Sequence, residues 1–178
     1  MSTMLPLDIA SLAFDPSTQQ PVLLLKLAGS PDPAERLVPI SLGRPEAHAI
    51  ITAANGISLS RPMTHDLLVS IMQAAGLSLT RVEISSFDKG TFLATLDLQR
   101  SSGERITIDA RPSDAIALAL RIHAPLFIAD NVYQETSVKT QIAGIESSME
   151  DGVDFGPQKL LKDFHEFIQH IEPEDFRK

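Results

Sequence analysis

Asp109, Arg111, Ser113 and Asp114 crowd into one short stretch. Two carboxylates flanking a guanidinium can neutralise an anionic group, hold a divalent cation or activate a water, depending on which of them face the same space. The stretch is also a junction between two elements. Arg105-Ile-Thr-Ile-Asp109 alternates like a strand, with Ile106 and Ile108 directed inward. Pro112 then suits the first position of a helix, where its missing N–H costs nothing and its φ is already helical. Ala115, Ile116, Leu118, Ala119 and Leu120 leave almost no polar face before Arg121, so this helix is expected to be buried on most sides, with Ile116 and Leu120 nearly inaccessible. Polar chemistry is confined to its entrance.

Two other helix entrances carry candidates. Glu46 follows Pro45, and His65-Asp66 follows Thr64, which reads as an N-cap. A His beside a carboxylate can act as a general base or, unprotonated, as a metal ligand. If the three entrances meet, Glu46, Asp66, Asp109 and Asp114 form an oxygen-rich set suited to Mg²⁺ or Mn²⁺. Each residue has a structural alternative as well. Asp114 near a helix start is favoured by the macrodipole and the free N–H groups, Asp109 and Arg111 can form an ion pair that fixes the turn, and His65 can be a surface residue. His48, His123, His165 and His170 show no ligand spacing with a partner. Gly-rich phosphate loops and a nucleophile elbow are absent, and 5% aromatic content gives no interleaved stacking surface for single strands.

The elements that must position these residues follow from periodicity and turn signals. Leu7 to Phe14, Val22 to Leu27 and Leu37 to Ile40 read as consecutive antiparallel strands separated by Pro-containing turns. Pro45 opens a helix with Ala47, Ile50, Ile51 and Ala54 at helical spacing, stopped by Asn55-Gly56. A second helix runs from Thr64 to Gly76 with Leu67, Leu68, Ile71, Met72 and Ala75 as its inner stripe. Leu79 to Ser86, Thr91 to Gln99 and Glu104 to Asp109 form a meander, and Leu126-Phe-Ile128 returns as a short strand before a turn of helix near Asn131 to Glu135. Segregated strands and helices predict an α+β fold: a largely antiparallel mixed sheet packed with three or four helices in a single core domain over residues 1–138. Residues 139–157 read as an acidic linker. Residues 158–178 read as an amphipathic helix whose Leu160, Leu161, Phe164, Phe167, Ile168 and Ile171 must dock on the core or on another subunit, so a homo-oligomer, first of all a dimer, is expected.

Charge limits the partners. The 178-residue chain carries −8, and a polyanion is repelled overall by such a protein. The acidity is uneven: residues 1–129 hold 10 Lys+Arg against 12 Asp+Glu, while residues 130–178 hold 5 against 11. A local basic patch in the first part is therefore compatible with the total. Cysteine is absent, which excludes a disulfide framework and thiolate zinc sites. No apolar run approaches the ~18 residues of a membrane span, and no basic-then-apolar leader opens the chain, so a soluble cytoplasmic protein is expected.

Asp109-Ala-Arg-Pro-Ser-Asp-Ala-Ile-Ala-Leu-Ala-Leu-Arg121, followed by Ala124-Pro125, resembles the signature of the bifunctional nuclease domain family, small bacterial and plant proteins credited with DNase and RNase activity. Further matching blocks arrive in order: Val22-Leu-Leu-Leu-Lys26, Leu37-Val-Pro-Ile40, Gly43 with Pro45-Glu-Ala47, Arg61-Pro-Met-Thr-His-Asp-Leu-Leu68, and Asp88-Lys-Gly-Thr-Phe92. Ser41 departs from the pattern, standing where a bulky apolar residue is expected. The resemblance implies a nuclease acting on DNA and RNA with little sequence preference. Phosphodiester hydrolysis needs an activated water and charge stabilisation at phosphorus. On this reading Asp109, Arg111, Asp114 and His65 are the catalytic candidates and Glu46, Asp66, Asp109 and Asp114 the metal candidates, with activity expected to vanish in chelator. The competing class is a non-catalytic oligomeric binding or regulatory module, in which the same motif is a determinant of folding and assembly.

Overall fold

The computed structural model describes residues 3–15, 18–30 and 36–139. Apart from Lys139, the linker and C-terminal helix expected over 139–178 lie outside them. Strands β1 (Met4–Asp15), β2 (Gln20–Leu27) and β3 (Arg36–Ser41) are followed by helices α1 (Arg44–Ala54) and α2 (Thr64–Ala74). Then come β4 (Leu77–Asp88), β5 (Thr91–Arg100), β6 (Arg105–Ala110), α3 (Pro112–Ile122), β7 (Leu126–Ala129), α4 (Asp130–Thr136) and the short β8 (Val138–Lys139). All join one sheet in the order β6-β5-β4-β7-β1-β2-β3-β8. Every neighbouring pair is antiparallel except β4 and β7, which run parallel with Val82 opposite Leu126 and Ile84 opposite Ile128. This is the expected α+β fold with its largely antiparallel mixed sheet, the parallel seam lying between β4 and β7.

Local chemistry explains the boundaries. Asp88-Lys89-Gly90-Thr91 closes the β4–β5 hairpin with φ of 48° at Lys89 and 83° at Gly90, the doubly positive turn whose twist matches that of paired strands. Helix α3 begins on Pro112 and stops where His123 turns left-handed at φ 57°, ahead of Ala124-Pro125. Its interior residues Ala115, Ile116, Ala117, Leu118 and Ala119 are buried in one core cluster with Leu23, Leu25, Val82, Leu96 and the α1 residues Ala47, Ile50 and Ile51. Alternate residues of β1 to β3 form a smaller cluster of Ala13, Leu24 and Leu37. Ile116 is 1% exposed, and Ile116→Ala is expected to cost about 2–5 kcal/mol in urea denaturation.

Several expected core positions are not core. Leu120 is only partly buried, so its truncation should cost less than that of Ile116. Ile106 is partly buried and Ile108 is 44% exposed, although both lie on the helix side in register with buried Leu98 and Leu96. Strand β6 is the sheet edge, and no helix among the described residues reaches far enough to cover Ile108. The inner stripe expected of α2 faces the other way: Leu67, Leu68 and Ile71 are exposed, as is Ala75, and Met72 alone of that stripe packs inward. The true inner line is His65, Val69 and Met72. Met63, not Thr64, is the N-cap, and its amide donates to the Asp66 carboxylate at 2.8 Å.

Candidate functional site

The entrances of α1, α2 and α3 do converge, and they do so on arginines. Arg111 stands at the N-cap of α3 with extended backbone, directing its side chain toward the first turn of its own helix and toward α1. Its Nε donates to Asp114 Oδ2 at 2.7 Å and its Nη2 to Asp114 Oδ1 at 3.2 Å, a two-pronged clasp. Nη1 lies 3.1 Å from Glu46 Oε1. Behind Asp114, His65 Nε2 lies 3.1 Å from Oδ1, and with the carboxylate ionised the imidazole is the donor. His65 is 8% exposed, and its Nδ1 is sealed from solvent without a partner among the described residues. Glu46 folds back over its helix start, which requires Gly43: a Cβ there would sit 2.3 Å from Glu46 Oε2.

A second arginine holds the same helices from below. The Arg121 side chain is 8% exposed; its Nε donates to Asp66 Oδ1, and its Nη1 donates to the carbonyls of Ala49 at 3.1 Å and Ala117 at 2.8 Å. Arg121 thus ties α2, α1 and its own helix together. Its one early signal was its type, a permanent cation ending an otherwise apolar helix, which must find acceptors if it is buried.

The carboxylates are tuned by these contacts. Partial burial pushes the Asp114 carboxyl up, but the hydrogen bonds and charges of Arg111 and His65 outweigh it and hold Asp114 below the usual carboxylate range. For Asp66, burial likewise pushes up and the Arg121 contact, the Met63 amide and the His65 charge bring the net shift down. The folded state therefore binds these protons less tightly than the unfolded chain, so the stability they contribute is present above the ordinary value of 3.8 and lost as pH falls through the lowered folded values. Urea midpoints are expected to decline below about pH 4, with a shallower decline in Asp114→Asn.

Glu46 and Arg111 border an open cleft of about 600 Å³ whose other walls include Ser41, Gly43, Phe87 and Ser113. Ser41 is exposed on its rim, so no core position depends on it. Phe87 and Phe92, from the two sides of the β4–β5 hairpin, form a tilted pair with ring centroids 4.7 Å apart and both line the cleft. Two aromatics flanking a tight turn were the sequence signal for this wall.

Not all candidates join. Asp114, His65 and Glu46 gather around Arg111, Asp66 belongs to Arg121, and Asp109 stands apart, exposed on β6 opposite Thr95 and on the face of the sheet away from the helices. Arg111 pairs with Glu46 and Asp114 rather than with Asp109. Among the described residues no three His, Asp or Glu side chains come together as a metal-holding group. With Arg111 wedged between Glu46 and Asp114, the donor set as folded does not fit a divalent ion.

A chain with this signature helix, set on this sheet and opening on this cleft, belongs to the bifunctional nuclease domain family, whose model matches residues 24–141. Two Mycobacterium tuberculosis proteins, from different strains and both called uncharacterized, are 32% identical to it over 169 residues, covering 95% of this chain and 96% of theirs. A rice protein named Bifunctional nuclease 2 (Oryza sativa subsp. japonica) is 27% identical over 147 residues, 78% of this chain and 43% of the rice protein. Among the described residues no helix is long and apolar enough to cross a membrane.

Proposed function

We propose that this protein is a cytoplasmic nuclease that hydrolyses phosphodiester bonds of DNA and RNA with little sequence preference, at the cleft bordered by Glu46 and Arg111. One observation carries the reading. Of the four candidate carboxylates only Glu46 lines the cleft, and its partner there is a guanidinium that is 66% exposed, so a base and a phosphoryl-binding cation face the same open space. Asp114, backed by His65, grips the Nε side of Arg111 and leaves Nη1 turned to Glu46 and the cleft. A substrate phosphate takes up that Nη1 position, and the freed Glu46 carboxylate accepts a proton from the water attacking phosphorus. The bond from phosphorus to the leaving sugar oxygen breaks, and that oxygen takes a proton from solvent. Phe87 and Phe92 offer sugar or base a flat apolar wall with no hydrogen-bonding code, which suits low sequence preference.

The test is cleavage of labelled single-stranded DNA, duplex DNA and RNA by the purified full chain and by Glu46→Gln, with folding checked by circular dichroism. Both nucleic acids should be cut by the wild type and neither by the variant. Undiminished cutting by folded Glu46→Gln overturns this site. Adding chelator reads the metal requirement in the same assay: cutting that persists supports hydrolysis by Glu46 and Arg111 as folded, and cutting that stops overturns it. A non-catalytic binding module is the second reading, favoured by two carboxylates against one guanidinium in the cluster and by the sealed His65 Nδ1. Nucleic-acid binding by the wild type without any cleavage decides for it.

A further inference from the structure

Among the described residues, strand β6 ends the sheet on one side. Its ladder with β5 starts at the Ser101–Gly103 turn, where the Arg100 amide donates to the Glu104 carbonyl at 2.8 Å, and continues without a register shift to Ala94 opposite Ala110. Hydrogen bonding alternates along an antiparallel ladder. Ile106, Ile108 and Ala110 therefore turn their amides and carbonyls to β5, while Arg105, Thr107 and Asp109 turn theirs to the open edge. The Thr107 hydroxyl donates to Asp97 Oδ1 at 3.0 Å. Arg105 and Asp109 are exposed, and among the described residues neither side chain has a hydrogen bond or ion pair. Ile108, on the helix side, keeps 44% of its surface in water.

Charged residues on an edge usually discourage a further strand. These do the reverse, because Arg105-Ile-Thr-Ile-Asp109 is its own complement. Laid antiparallel on a second copy about a two-fold axis at Thr107, it sets Arg105 opposite Asp109 of the partner subunit and Ile106 opposite Ile108 of the partner subunit. The three residues with outward amides then all fall in hydrogen-bonded pairs, and the isoleucines fall in the closer-spaced pairs between them. We propose that two copies of this chain join through β6 in this register, making one sheet continuous across the axis. The contact is self-complementary, as a two-fold interface must be. It assigns Asp109 to assembly instead of hydrolysis, and it places Gly103 of the partner subunit opposite Arg111, so the neighbour's turn borders the entrance to α3.

The full chain tests this. Sedimentation equilibrium should give twice the 19.4 kDa of one chain. Asp109→Arg alone, or Arg105→Asp alone, sets like charges opposite each other at both ends of the ladder and should raise the dimer dissociation constant about tenfold or more. Combining the two substitutions should restore it. Because the chain has no cysteine, Thr107→Cys puts a single thiol beside its own copy on the axis and should oxidise to a covalent dimer, while Ser70→Cys on α2 should not. A monomer at every concentration, a dimer indifferent to the single reversals, or a double variant that fails to recover overturns the proposal. So does cross-linking through Ser70→Cys with none through Thr107→Cys, which moves the contact to the exposed face of α2.

Discussion

On the proposed reading, Arg111→Ala is expected to lower the rate of DNA and RNA cleavage about 10²–10³-fold, the scale on which a single preorganised donor to a developing oxyanion acts. The loss should fall mainly on kcat, because the guanidinium is held in place by Asp114 before substrate arrives and so is worth most where charge accumulates at phosphorus. Stability should change little, since ion pairs made by a side chain that is 66% exposed contribute modestly in water. Arg111→Lys keeps the charge but loses the fork that spans both oxygens of Asp114, and should recover only part of the rate. Single-turnover cleavage alongside thermal melting checks both halves. A variant that melts early and still cuts at the wild-type rate would make Arg111 a structural residue.

Arg121 should behave in the opposite way. Arg121→Met, close to it in volume, is expected to cost about 2–3 kcal/mol in urea denaturation, below the range for a wholly buried pair because the Asp66 side chain remains 38% exposed to water. The substitution leaves Asp66 with the Met63 amide but without its cation and takes a donor from two carbonyls, of which Ala49 belongs to a different helix. Asp66→Asn leaves an acceptor for the guanidinium and should cost less. Equal stability of Arg121→Met and wild type would mean that the apolar faces of α1, α2 and α3 hold their own angles.

Elements set by short-range chemistry were legible in the sequence. Pro112 marked the start of α3, Asp88-Lys-Gly90 the hairpin, and the alternation in Thr91 to Gln99 its strand, because each signal is complete within a few residues. What covers a face was not. Leu67, Leu68 and Ile71 make as good a helical stripe as His65, Val69 and Met72, and the second line wins partly through the bond from His65 to Asp114, 49 residues away. Ile108 has the same local pattern as a core residue and differs only in belonging to an edge strand. The candidate site was half legible for the same reason. Glu46, His65, Arg111 and Asp114 were recognisable as helix-entrance residues, but that Arg111 would choose Glu46 over nearby Asp109 depends on the pleat, which turns Asp109 to the other face of the sheet. Arg121 was missed because nothing local names its acceptors.

Strand β7 is four residues long, yet two locally wound blocks, β1-β2-β3 and β4-β5-β6, close against its two sides. Each block pairs neighbours in the chain, so its loops are cheap to close and it can form early. The seam is different in kind, since it must bring Met4 opposite Ala129 and Val82 opposite Leu126. Time therefore enters the fold through β7. A nascent chain exposes one side of β1 from its first turns until almost the whole core has been made, and during that interval an unsatisfied strand is open to any passing partner. The helix that carries Arg111 and Asp114 is the link that delivers β7 to its place. The closing of the seam and the completion of the cleft thus depend on the same short run of residues.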